Sequence, residues 1–168
     1  PADGNHGLDL DAMALKVANE YSDYKKKQKA VGNLDYAKLP CVNHPVFKGK
    51  DVNYDPREVF VSGLFKEKGV NNVFLEFYHS LVQALFKAKV SKNVYCVNID
   101  AVIAVILLKI VWTDFSGGKL KEEDIESASF ATFLFGRMIG CAAEIDDHTS
   151  RGKNMDTRTP ASKCFYVG

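Results

Sequence analysis

The 168 residues are 46% hydrophobic and 26% charged, the balance of one globular domain or of two small lobes sharing a core. With 22 basic residues against 21 acidic, the net charge of +1 argues against a nucleic-acid binder that depends on a strongly positive surface. The longest apolar run, "AVIAVILLKIVW", is broken by Lys109 and is shorter than the roughly 20 residues of a membrane span, and there is no signal peptide.

In chain order, "LDLDAMALKVANEYSDYKKK" sets Leu10, Met13, Leu15, Val17, Ala18, Tyr21 and Tyr24 mostly on one broad face and predicts a helix. Its cluster Lys25, Lys26, Lys27 and Lys29 reads as a solvated helix end. Gly32-Asn33 ends that helix, and Pro40 closes a short linker. The segments "PREVFVSGLFKEKG" and "NNVFLEFYHSLVQALFKAK" predict two more helices, with Pro56 in a first turn and Gly69 as a stop. "NVYCVNIDAVIAVILLKIVW" has the β-branched content of a buried strand, but its length and the capping candidates Asn98 and Asp100 favour a buried helix. Gly117-Gly118 is a break, and a helix follows from about Glu122 to Asp147 with acids in its first turn. The final "SRGKNMDTRTPASKCFYVG" reads as a loop or tail. No alternating strand pattern occurs, so the expected fold is all-α. Cys41, Cys96, Cys141 and Cys164 form no CxxC pair and no zinc spacing, and read as reduced, buried residues of an intracellular protein. The chain begins at Pro1, as a piece of something longer would.

Five positions hold candidate chemistry. His6, between Asn5 and Gly7, precedes a helix whose N–H groups favour negative charge, although a capping or surface histidine is the ordinary reading. His44 shares its loop with Lys48, Lys50 and Arg57, and neighbouring cations favour a neutral imidazole able to hydrogen-bond a carbonyl. Asp100 stands at the mouth of the most apolar segment, either as an N-cap or as a carboxylate made more basic by desolvation. Arg137 interrupts the helical run "FATFLFGRMIGCAAE" and, if buried there, needs an anionic partner. Arg158 lies in the loop "MDTRTPAS". His79 and His148 read as a helix-face residue and an exposed helix end, without a role.

In order and wording these segments resemble the C-terminal half of the citrate synthase family, which includes methylcitrate synthases and the citryl-CoA lyase module of ATP-citrate lyase. The motifs are "NHGLDLDAMAL", "VNHPVFKGKDVNYDPR", "VNIDAVIAVIL", "FLFGRMIGCAAEI" and the tail to "DTRTPAS". The resemblance implies a citrate synthase-like helical fold, with residues 1–110 as the small domain and 111–168 as the last helices of the large domain. It implies a Claisen-type condensation of acetyl-CoA with oxaloacetate, a step of the tricarboxylic acid cycle, with no metal. Asp100 would remove the methyl proton, His6 would stabilise the enolate and His44 would polarise the ketone. Arg57, Arg137 and Arg158 would hold carboxylates, and Lys48 or Lys50 the CoA phosphates. It also implies a missing N-terminal half or partner chain, at least a homodimer, and a cytoplasmic or mitochondrial-matrix location. Asn43 and Pro45 flank His44 where the family usually has glycine and a basic or small residue, and the stretch from His44 to Asp55 is longer than usual. The same residues serve citryl-CoA lyase or methylcitrate synthase chemistry, and a non-catalytic CoA-binding relative is the reading from another class.

Overall fold

Short polar side chains start four of the helices by accepting backbone N–H groups that the first turn cannot satisfy itself. Asp9 accepts from Ala12 and begins α1, Leu10–Ala30, while Asp55 accepts from Arg57 and begins α2, Pro56–Glu67. Asn72 accepts from Phe74 and Leu75 to begin α3, Val73–Lys87, and Asn98 accepts from Asp100 and Ala101 to begin α4, Ile99–Ser116. The fifth helix, α5 (Glu122–Ser150), opens with Glu122, Glu123 and Asp124, acids that complement the helix dipole. Gly69 and Gly118 follow α2 and α4 with φ of 64° and 75°, where a side chain would be strained. This computed structural model describes residues 7–150.

The all-α expectation holds among the described residues, where strand-like pairing is confined to two isolated bridges. Val42 pairs with Val97 antiparallel and Val52 with Val94 in parallel. Both tie the long loop before α2 to the segment that leads into α4. Asn98 rather than Asp100 is the cap of α4, and Asp100 is its second residue.

Two apolar clusters hold the helices together. In one, Ala14 and Ala18, one turn apart on α1, meet Leu81, Ala84 and Leu85 of α3, and the small alanines let the two backbones approach. In the other, Leu75 and Val82 of α3 meet Ala101, Val102 and Val105 of α4 with Val94 and Val97. Val61 and Phe65 bring α2 to the same cluster.

The chain divides into two compact units, Pro1–Ser129 and Phe130–Gly168, with the division inside α5. Residue 110, where the resemblance ends the small domain, falls within α4. Along α5 the side chains of Phe130, Phe135, Met138 and Ile139 are more than half exposed. By length and composition alone α5 could cross a membrane, a test that a helix covered by other protein also passes. Two expectations are corrected here. Cys141 is exposed, because it lies on this uncovered helix, and His148 is buried, with Nε2 3.3 Å from Glu144 Oε1.

Asp55 is completely buried and accepts from the Arg57 backbone N–H, Arg57 Nε and Nη2, and the Ile99 N–H at 2.6–3.2 Å. Burial pushes its pKa up, but the Arg57 and Ile99 contacts outweigh this and hold it below the ordinary value. Burial likewise opposes ionisation of Glu58, and hydrogen bonds from His79 and Ser62 outweigh it in turn. A depressed carboxyl pKa adds stability above the unfolded value, about 3.9 for Asp and 4.3 for Glu, and that stability is lost as pH falls through the folded value. Asp55→Asn is expected to cost about 3 kcal/mol at neutral pH, since it leaves Arg57 facing an uncharged partner. Urea unfolding should also show a shallower loss of stability below about pH 4 in that variant. A variant with unchanged midpoint and an unchanged acid limb would contradict this role.

Candidate active site

The loop around His44 is built by backbone that ordinary residues avoid. Cys41 and Asn43 have φ of 63° and 69°, a left-handed conformation that Asn tolerates and Cys does not favour. Hydrogen bonds to the start of α4 hold it there. The Asn43 N–H donates to the Cys96 carbonyl at 2.8 Å, and the Asn98 N–H to the Cys41 carbonyl at 3.2 Å. Asn98 Nδ2 reaches the Asn43 carbonyl at 3.4 Å while its Oδ1 caps α4. One asparagine therefore fastens the histidine loop to the helix that bears Asp100.

His44 is oriented by its own chain. Its Nδ1 accepts the Val46 and Phe47 N–H groups at 3.1 and 3.3 Å, and the intervening Pro45 has no N–H to compete. With Nδ1 accepting, the neutral tautomer of the ring carries its proton on Nε2. The imidazole stacks on Phe47 with centroids 4.6 Å apart, and the Arg57 guanidinium lies 5.7 Å from the same phenyl ring. Arg57 is held in turn by the two carboxylate oxygens of Asp55, at 2.9 Å from Nε and 2.6 Å from Nη2. That carboxylate also receives the Ile99 N–H, one residue before Asp100.

Asp100 Oδ1 is buried with no hydrogen-bond partner among the described residues. A buried carboxylate oxygen without a partner is costly, and contact with a ligand is one way to satisfy it. Beside it, burial pushes the Cys41 thiol pKa up and the Asp100 charge adds to the shift. Tyr78 is pushed up to about 12, by burial first and then by Cys41. Both groups stay neutral at physiological pH.

Lys48 and Lys50 border a cavity of about 170 Å³ with Phe47 and Tyr54 on its walls. Lys50 Nζ lies 5.1 Å from the Tyr54 ring centroid. The cavity shares Phe47 with the His44–Arg57 stack, so cationic and aromatic surface adjoins the histidine.

Within the first unit, His44 and Arg57 meet at Phe47, which also borders the cavity of Lys48 and Lys50, and Asp100 follows Ile99, whose N–H is bound to Asp55. Arg137 belongs to the second unit, and it is exposed rather than buried, with its guanidinium 5.2 Å from the Phe133 ring of its own helix. His6 and Arg158 lie outside the described residues. Sequence reasoning missed the contributions of Phe47, Cys41 and Tyr78, which have no local pattern to mark them. It also missed Glu58, whose carboxylate is buried and bonded to His79 Nε2 at 2.8 Å. An acid directly after Asp55-Pro56-Arg57 was the available signal, since first-turn acids of a helix are ordinary but seldom buried.

Long-range proton–nitrogen NMR correlations should show His44 in the Nε2–H form, with Nδ1 as the unprotonated nitrogen. In Asn98→Ala the loop should loosen and that preference should weaken, alongside a loss of about 1 kcal/mol for the missing cap. A proton found on Nδ1 in the unaltered chain would contradict the orientation described.

No protein-family model matches this chain, and neither the curated proteins nor the solved structures contain a match.

Proposed function

We propose that the chain is the catalytic C-terminal portion of a citrate synthase-like enzyme, condensing acetyl-CoA with oxaloacetate. The observation that supports this most is the gathering of His44, Arg57 and Asp100 around the N-termini of α2 and α4 by one hydrogen-bonded loop. In this reading Asp100 takes a proton from the thioester methyl group, and His6 stabilises the enolate oxygen. The enolate carbon attacks the ketone carbon of oxaloacetate, forming the new C–C bond. His44 Nε2–H polarises that ketone and gives its proton to the developing alkoxide, and Asp100 and solvent restore the ring. Water then cleaves the thioester and releases the CoA thiol. Deprotonating such a weak carbon acid demands that base and hydrogen-bond donor act together in a dry site.

The carboxylates of the keto-acid fall to Arg57, with Arg137 and Arg158 contributed from the rest of the assembly. Asp55 fixes the plane of the Arg57 guanidinium, which favours a directional contact with a carboxylate. The CoA phosphates fall to Lys48 and Lys50. The enzyme is completed by an N-terminal half or partner chain, and by a second copy in a dimer. The uncovered apolar residues of α5 are consistent with such a cover.

The test is release of free thiol when the protein, with any chains that co-purify, meets acetyl-CoA and oxaloacetate. His44→Ala and Asp100→Asn should each lower the rate by at least about 100-fold, the usual range for an acid–base group. Acetyl-CoA binding without thiol release, and without cleavage of citryl-CoA in the reverse assay, would replace this reading with that of a CoA-binding subunit.

A further inference from the structure

A second cavity, of about 220 Å³, shares no lining residue with that of Lys48 and Lys50 and belongs to none of the chemistry above. Tyr21 and Lys25 of α1, Tyr36 and Lys38 of the following segment, and Tyr95 before α4 supply its polar and aromatic walls, and aliphatic side chains complete them. Asn43, the residue before His44, forms part of the same wall. No acidic residue lines the cavity, whereas Lys25 and Lys38 do. Lys25 Nζ donates to the Val90 carbonyl at 3.2 Å, which places the charge at the wall and engages one of its three protons. Tyr21 is part-buried, and burial pushes its phenol pKa up, so the ring stays neutral at the wall.

Two cations with no counter-charge call for an anion, and phenol rings with aliphatic side chains call for a flat apolar body. An apolar cavity of about 150 Å³ accommodates benzene, so the larger volume here suits a ring bearing one small polar group. We propose that this cavity binds a small aromatic monocarboxylate, with the ring among the tyrosines and the carboxylate at Lys25 and Lys38. The occupant would touch Asn43, whose Oδ1 accepts the His44 N–H at 2.9 Å. Binding therefore reports on the backbone next to His44. The inference does not require the condensing reaction.

The experiment is a titration of the full chain with benzoate, and separately with benzamide, followed by backbone amide NMR. Benzoate should shift the Tyr36, Asn43 and His44 amides along one saturable curve. Benzamide, of the same shape without charge, should bind roughly tenfold more weakly, the scale of one charge-assisted hydrogen bond. Lys25→Met and Lys38→Met should each remove most of that preference. Because Lys25 also holds Val90, the comparison of the two ligands on the unaltered chain decides the matter if that variant fails to fold. Equal affinity for the two ligands, or saturable shifts confined to other residues, or no saturable shift, would overturn the proposal.

Discussion

Asp55 is a carboxylate with no exposed surface, and the neighbourhood of the candidate site is organised by what that carboxylate needs. Removing an ion from water costs several kcal/mol, so a buried charge survives only where donors and an opposite charge converge on it. Four N–H groups do so: three belong to Arg57 and one to Ile99. The donors come from the first turns of two different helices, so satisfying Asp55 forces the N-termini of α2 and α4 together. Arg57 is thereby fixed against Phe47, and Phe47 against His44. A single electrostatic requirement is thus transmitted through one phenyl ring to the imidazole. The same convergence sets Asp100, one residue beyond Ile99, at the edge of this cluster.

Much of this architecture is local and could be read from the chain. Asp-Pro at 55–56, Asn98 ahead of an apolar run, and glycines at 69 and 118 mark helix ends by chemistry that needs no tertiary partner. Helical spacing likewise separates the five elements. The second task of Asp55 was not legible, because nothing near residue 55 says that its carboxylate will also receive the N–H of residue 99. The same holds for Phe47, which gains its role only when the loop folds back on α2. Asn98 could be recognised as a cap, while its link to the Asn43 carbonyl depends on the left-handed turn at Asn43. Of the candidate site residues, His44, Arg57 and Asp100 were visible as residue types with the right neighbours. The contacts through Phe47 and Asp55 that tie His44 and Arg57 to the start of α4 required the fold.

The contrast between the two units has a physical basis in patterning. α3 and α4 bury their apolar faces against each other and against the loop segments, whereas α5 carries Phe130, Leu134, Phe135, Met138 and Ile139 exposed. Burial assumed from composition therefore failed at Arg137 and Cys141, both on α5. An arginine in an apolar run needs an anion only when the run is covered, and on an uncovered helix a phenyl ring of the same helix is partner enough. The exposed face of α5 leaves a large apolar surface for another protein segment, in keeping with the proposed N-terminal half or second copy.

The central claim is that His44 and Arg57 face one ligand while sharing one phenyl ring. The most direct measurement is an NMR titration with oxaloacetate that follows the His44 imidazole and the Arg57 Nε–H signals in the same samples. The account predicts that both move along one saturable curve with a common midpoint, with Asp55→Asn shifting that midpoint to weaker binding. Independent curves for the two side chains, or a response from neither, would contradict it.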